Sequence, residues 1–492
     1  MRVFNTLTGR KEEFTPGERG LVKIYVCGIT PYAPSHIGHA RPAVFWDVVR
    51  RYLEYVGYTV RAIQNFTDID DKIIAASASE GLPPLELADK YARQYLNEIS
   101  ELGVKPMQLY PKASEHVGEI ITMIETLIAK GHAYEVGGDV YFSVKSFEEY
   151  GKLSHRTLEE MKPGARVEIN EMKEHPMDFA LWKAAKPGEP SWPSPWGNGR
   201  PGWHIECSAM SAKYLGLSFD MHGGGTELIF PHHENEIAQS EAFSGVKPMV
   251  RYWVHNELVN IRGEKMSKSL GNVITIREML NKFPARAIRL FLLSAHYRTP
   301  LNFSEEGMEA AIRGCERLQT ALDNLGAFCR DSKPEPGGSV LEPLEDAYEK
   351  AQLTFHESMQ DDFNTPGAIA AVFDLVRELN AHQEWLASHP ASAANYLDGL
   401  ARMVSVLGIA DDPRKAQGGA GDSALVGELV NLTLELRQKA RQEKDWATSD
   451  AVRARLGKLG ILVEDGPTGT KWKRINPDGG DVRASGATRI HA

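Results

Sequence analysis

The stretch VKIYVCGITPYAPSHIGHARPAVFWDVVRRYLEYVGYTVRAIQ, residues 22–64, decides the fold. Residues 22–28 are apolar apart from Lys23 and end at Gly28, which suits a buried strand. A proline-rich turn follows, and the spacing predicts a helix from about Ile37 to Val56. Tyr58 to Gln64 alternates and is β-branched enough for a second strand. Strand, turn, helix, strand is the βαβ signature of a parallel nucleotide-binding sheet.

Working outward, 492 residues suggest roughly three domains at ~150 residues each. Hydrophobic residues make up 42% and charged residues 25%, which excludes a mainly disordered or collagen-like chain. No run of about 18 apolar residues occurs, so no membrane span is expected. The opening MRVFNTLTGRKEEF has no apolar core of a secretory signal, so a cytoplasmic location is expected. The 4 cysteines are too few for a disulfide framework. The net charge of -10 by itself argues against a nucleic-acid partner. Residues 430–492, however, carry 12 Lys and Arg against 8 Asp and Glu, so the acidic excess lies upstream. A local cationic surface is what meets a polyanion.

The segment HVGEIITMIETLIAKG (116–131) reads as a helix stopped by Gly131. Gly137–Val144 reads as a short hairpin. The Pro-, Gly- and Trp-dense segment 186–203 reads as a structured loop closing an insertion in the main sheet. After about residue 304 long amphipathic helices take over, one of them starting with Thr365 as N-cap and Pro366 at its first position. Residues 332–339 and 411–422 read as flexible segments. Helices over about 425–443 and 447–459 and a strand at Gly460–Val463 complete the chain.

Two short segments carry phosphate chemistry. His36-Ile37-Gly38-His39 opens the first helix, where imidazoles and free helix N–H groups can meet phosphate oxygens and Gly38 admits a nucleotide to the backbone. Lys265-Met266-Ser267-Lys268-Ser269 offers lysines suited to charge that develops as a phosphate is attacked. Taken alone, each fits an unliganded polar loop as well. Together, in this order and behind a βαβ unit, they resemble the HIGH and KMSKS motifs of class I aminoacyl-tRNA synthetases. The resemblance implies a Rossmann core that binds ATP and forms an aminoacyl-adenylate. It makes His36, His39, Lys265 and Lys268 catalytic, and adds Gly38, Ser267 and the glycines Gly223 and Gly224 as ATP contacts.

Cys27 ends the first strand, where open α/β sheets place ligands. Cys207 lies in Trp203-His204-Ile205-Glu206-Cys207, and Pro231 suits a helix's first turn, putting His232 and Glu236 on one face. Two thiolates, an imidazole and a carboxylate make a plausible tetrahedral zinc shell. Taken singly, the same residues fit core cysteines and a solvated helix face. The segments YVCGITPY (25–32), FTDIDDKI (66–73), GRPGWHIECSAM (199–210), HGGGTELIFPHHENEIAQSEA (222–242) and EKMSKSLGN (264–272) are similar to the cysteinyl-tRNA synthetase family over about residues 2–475. That resemblance implies one Zn2+ per chain on Cys27, Cys207, His232 and Glu236, binding the substrate thiolate. Shape separates cysteine from serine by only ~1–3 kcal/mol, and zinc prefers the soft thiolate. Cys315 and Cys329 read as structural.

The resemblance further implies L-cysteine, ATP with Mg2+ and tRNA(Cys) as partners, in a monomer of mixed α/β class. Its parts are a Rossmann-type parallel-sheet catalytic core (1–110 and 201–250) with a connective insertion (111–200), and a stem-contact region (251–315). A helical bundle (316–410), a linker (411–424), a small mixed α/β anticodon-binding domain (425–475) and a disordered tail (476–492) follow. Thr67 or Asp70 contacts the amino-acid ammonium group or, equally, Asp70 only caps a helix. Trp203 and His204 would wall the thiol pocket. Trp446 reads as a core residue, and Trp472, with Lys471, Lys473 and Arg474, as the RNA-facing one. Two rivals remain. One is a ligase joining cysteine to an amino sugar on the same zinc core, which lacks the anticodon end. The other is an RNA-binding paralogue without catalysis, which the intact motifs disfavour.

Overall fold

The computed structural model describes residues 1–160, 172–261, 264–265, 273–329, 339–443, 445–458, 461–466 and 469–474. They belong to two compact units, Met1–Asp411 and Asp412–Ala492.

The first unit is built on the expected βαβ unit: β1 (Leu21–Val26), α1 (Ile37–Tyr55) and β2 (Thr59–Gln64). The chain then leaves the sheet. It returns through α2 (Ile205–Leu215), β3 (Phe219–Gly225), α3 (Glu234–Ser244) and β4 (Val250–Asn256). The strand order is β4-β3-β1-β2 and all three pairings are parallel. From β1 the chain crosses to β2 on one side, and β3 pairs on the other. The crevice outside the carboxyl ends of β1 and β3 is thus the topological switch point, where such sheets bind ligands. Buried residues run almost continuously along β3 and β4, as helix cover on both faces requires.

The insertion carries a separate antiparallel sheet of Ala133–Val136, Asp139–Phe142, Phe179–Ala184 and Gly199–Pro201, in that order. The expected hairpin at 137–144 is therefore centred earlier. Gly137 and Gly138, at φ +63° and +89°, form its two-residue tip, because that turn needs both residues left-handed. The 186–203 loop also gives up Gly199–Pro201 to this sheet, since Gly199 lies so close under Trp182 that a Cβ would overlap the indole.

The helix expected from Thr365 is Thr365–Ala381, but its cap is Asn364, whose side chain accepts from Gly367 N at 3.1 Å. Thr365 instead donates its hydroxyl to the Leu293 carbonyl at 2.8 Å. In the second unit the backbone is helical from Pro413 to Gln442, so residues 413–424 are helix where a linker was expected. Pro413 lacks an N–H that the first helical turn leaves unbonded in any case, so it can start this helix. Trp446–Lys458 is helical and Ile461–Gly466 pairs with Gly469–Arg474. The second strand of that hairpin was not expected, because Trp472 is its single large apolar residue. The tail 476–492 lies outside the described residues.

α1 is buried almost all round and is tied to the helical region through Asp47. Asp47 is fully buried and receives Arg289 at 2.7 Å, Arg51 at 2.8 Å and the Lys105 N–H at 2.9 Å. Arg289 also donates to the Leu407 carbonyl at 2.9 Å, at the end of helix Pro390–Leu407. Removing one partner of a buried pair strands the other charge. Asp47→Ala is expected to cost about 3–5 kcal/mol, read as a lower urea midpoint at unchanged slope; a loss below about 1 kcal/mol would show the pair to be dispensable.

Candidate active site

A cavity opens at the switch point, and its lining includes Cys27, Gly38, His39, Thr67, Trp203, Cys207 and His232. Gly28 lets β1 end there: a Cβ would overlap the Asn65 carbonyl, and Gly28 N donates to Asn65 Oδ1 at 2.8 Å. His36 caps α1, and its ring stacks on His39 with centroids 3.8 Å apart. Pro42, in the next turn, has no N–H to give the Gly38 carbonyl, and both residues line the cavity.

Lys265 lies in the short strand Glu264–Lys265, paired with Asn260. Ser267 and Lys268 lie outside the described residues. The segment that follows them is nonetheless bonded to the start of α1. Ile37 N donates to the Ile274 carbonyl at 3.0 Å and Ile276 N to the Ser35 carbonyl at 2.9 Å. The fold thus sets residues 274–276 against the start of α1, beside the cavity that Gly38 and His39 line.

The four candidate metal ligands converge. Cys27 follows β1, Cys207 sits in the first turn of α2, His232 precedes α3 and Glu236 lies in its first turn. The helix begins at Glu234, and Pro231 belongs to the tight turn before it, Ile229–His233. Cys27 Sγ is 3.8 Å from Cys207 Sγ and 3.6 Å from Glu236 Oε1, and His232 Nε2 is 3.0 Å from Glu236 Oε1. One ligand atom from each of the four lies within 4.8 Å of the others. Burial pushes the Cys27 thiol well above its ordinary range. Its hydrogen bond to Cys207 instead draws that thiol down to about 6. Burial opposes charge on His232, yet its bonds to Cys207 and Glu236 hold it at about 10. Burial likewise opposes charge on Glu236, yet His222 and His232 hold it at about 2. A thiolate and a carboxylate against one imidazolium leave buried negative charge among soft donors, which is what a divalent zinc-like cation takes.

Further imidazoles surround this cluster. His222 Nε2 lies 2.9 Å from Glu236 Oε2, and His233 Nε2 lies 3.3 Å from Cys27 Sγ. His233 Nδ1 meets His255 Nε2 at 2.8 Å, and His255 Nδ1 meets Thr6 Oγ1 at 2.7 Å. Such outer partners orient metal ligands. Cys27, His222, His233 and Glu236 also form a second close group. Sequence reasoning missed His233 and His255; the doubled histidine at 232–233 and a histidine near the end of β4 were the available signals.

The other expected residues divide. Trp203 lies over His232 with ring centroids 4.6 Å apart, and His204 Nδ1 is 2.9 Å from His232 Nδ1. Thr67 is buried at the cavity wall. Asp70 caps the helix Asp71–Glu80, accepting from Lys72 N. Gly223 and Gly224 do not face the cavity: a Cβ at Gly223 would overlap the Trp46 indole, and one at Gly224 would sit 2.6 Å from the His233 ring. They make room for the protein's own side chains, and Gly225 is the one of the three that lines the cavity. Trp472 is half-buried against the small core of Val430, Leu434 and Leu456 and donates its indole N–H to Asn431 Oδ1 at 3.0 Å. Trp446 is the exposed one, at 57%. The side chains of Lys471, Lys473 and Arg474 lie outside the described residues.

Three family models match the chain: the catalytic domain of class I (C) tRNA synthetases over residues 13–313, the DALR domain over 354–411 and the cysteinyl-tRNA ligase anticodon binding domain over 427–472. A cysteine–tRNA ligase of Heliobacterium modesticaldum is 51% identical over 479 residues, 96% of this chain and 99% of that one. One of Pelotomaculum thermopropionicum is 52% identical over 485 residues, 96% of this chain and 100% of that one. Among solved structures, the methionyl-tRNA synthetase of Mycobacterium tuberculosis with methionyl-adenylate shares the fold at a TM-score of 0.58 and 15% identity, over 79% of this chain and 90% of that chain. The LeuRS of an Agrobacterium radiobacter K84 ternary complex does so at 0.59 and 13%, over 80% and 84%. With the intact signatures and the cysteine–histidine–glutamate cluster at the switch point of a class I fold, the chain belongs to the cysteinyl-tRNA synthetase family, the class I ligases that charge tRNA with cysteine.

Proposed function

We propose that the cavity selects cysteine through Cys27, Cys207, His232 and Glu236, which would hold a zinc ion there. The convergence of these four donors, three of them lining the cavity and Glu236 buried behind, carries the reading. A bound zinc would supply a site that prefers a substrate thiolate to a serine hydroxyl. His222, donating to Glu236, and His233, beside Cys27, orient the ligand atoms. Trp203 and His204 close the wall beside His232, and Thr67 borders the amino-acid end of the pocket.

In the first step a carboxylate oxygen of cysteine attacks the α-phosphorus of ATP, and the bond to pyrophosphate breaks. In the second, a ribose hydroxyl of the terminal tRNA adenosine attacks the acyl carbon and AMP leaves. For this class the 2′-hydroxyl is the expected acceptor. No protein nucleophile is needed, so positioning and charge stabilisation do the chemistry. His36 and His39, at the N-terminus of α1, meet phosphate oxygens where the positive end of the helix dipole favours negative charge. Lys265 and Lys268 close on the departing pyrophosphate, and Mg2+ arrives with ATP. The anticodon-domain match supports tRNA over an amino sugar as acceptor. Within the small unit, Trp446 is the ring free to stack on an unpaired base, and Trp472 holds the unit together.

Cysteine-dependent ATP–pyrophosphate exchange, with serine as competitor, tests the reading. No exchange with cysteine, or equal exchange with serine, would sink it. Cys207→Ser is expected to lower bound zinc by at least tenfold, measured by elemental analysis. Zinc affinity should fall as pH drops from about 8 to 6, because the raised Cys27 thiol is protonated in the metal-free chain across this range and must release that proton to bind; a flat affinity would contradict this. Trp446→Ala should slow tRNA charging several-fold and leave exchange unchanged. Trp472→Ala should instead destabilise the small unit by about 1–3 kcal/mol, less than a fully buried ring would, seen in its unfolding transition.

A further inference from the structure

We propose that the side-chain amide of Asn256 binds the adenine ring of ATP, a role that rests on the proposed adenylation reaction in this cavity. Asn256 ends β4 and is 2% exposed, yet neither Oδ1 nor Nδ2 has a hydrogen-bond partner among the described residues. It lines the cavity together with Gly225, Glu227, Leu228 and Leu258, and the parallel register sets it beside Gly225. Buried amides are nearly always bonded, so a donor and an acceptor left open together at a cavity wall point to a ligand that supplies both.

The neighbourhood selects the kind of ligand. Glu227 and Glu257 also line the cavity, and their carboxylates disfavour a phosphate or a carboxylate next to the amide. Leu228 and Leu258 offer apolar contact to a flat ring. An asparagine amide matches an adenine edge, with Oδ1 accepting from the 6-amino group and Nδ2 donating to a ring nitrogen. The phosphates are left to the end of the same cavity lined by Gly38 and His39. Asn256 is thus a binding residue for the nucleoside and takes no part in bond breaking.

The test measures nucleotide affinity by calorimetry and by pyrophosphate exchange at saturating cysteine. It compares ATP, the purine riboside triphosphate that lacks the 6-amino group, and 2′-deoxyATP. Asn256→Ala is expected to weaken ATP about tenfold, to weaken the purine riboside analogue much less, and to leave cysteine KM and bound zinc unchanged. Its thermal midpoint without nucleotide should not fall, because the change removes an unbonded buried amide. Asn256→Asp, which keeps the shape and loses the donor, should also weaken ATP. Unchanged ATP affinity, a preference for ATP over the purine riboside that survives in Asn256→Ala, or a lowered midpoint would each overturn the proposal. Closure of the 2′-deoxy difference instead would put the amide on the ribose and overturn the base assignment. Calorimetry reads ATP without chemistry, so a wild-type chain that binds ATP but shows no exchange would count against the proposed reaction and leave Asn256 standing.

Discussion

Two thiols, an imidazole and a carboxylate share a buried volume whose ligand atoms lie within 4.8 Å of one another, and the first unit is arranged around making that possible. Burying a carboxylate or thiolate disfavours its charge unless compensating donors surround it. Here the compensation comes from His232 and His222 on Glu236, and from Cys27 on Cys207. Those groups arrive from the end of β1, from α2, from β3 and from the entrance to α3. The order β4-β3-β1-β2 puts all of these beside the one crevice where neighbouring connections diverge.

The same constraint explains the glycines. Gly28 lets β1 end against Asn65, and Gly223 and Gly224 yield space to Trp46 and His233. Trp46 lies on α1, and His233 reaches both Cys27 and His255. Small residues on β3 are therefore what allows the imidazole layer to pack under the cavity. The histidine pair that opens α1 and the Asp47 pairing that anchors it belong to one helix, so the His39 end of the cavity and the helical region share a single support.

The two tryptophans of the small unit show where residue type misleads. Trp472 is flanked by Lys471 and Lys473, which reads as an RNA-facing surface, yet its strand turns the ring inward onto Val430 and Leu434. Trp446 opens a helix, which reads as core, yet its ring stands in solvent. Charge next to an aromatic residue does not say which side of a strand that residue occupies, because successive side chains of a strand point to opposite faces.

The sequence by itself determined the βαβ start, the two phosphate-type segments, the candidate ligands Cys27, Cys207, His232 and Glu236, and the change to helices after the sheet. These are legible because local periodicity and short motifs carry them. Tertiary structure decided that these ligands, spread across 210 positions from Cys27 to Glu236, meet at one point, and that His233 and His255 stand behind them. It also decided that Gly223 and Gly224 lie against Trp46 and His233, that Asn364 caps its helix, and that Asn256 keeps an amide at the cavity wall with no partner among the described residues. Each depends on which distant group faces which, and only the pairing of strands and the docking of helices sets that.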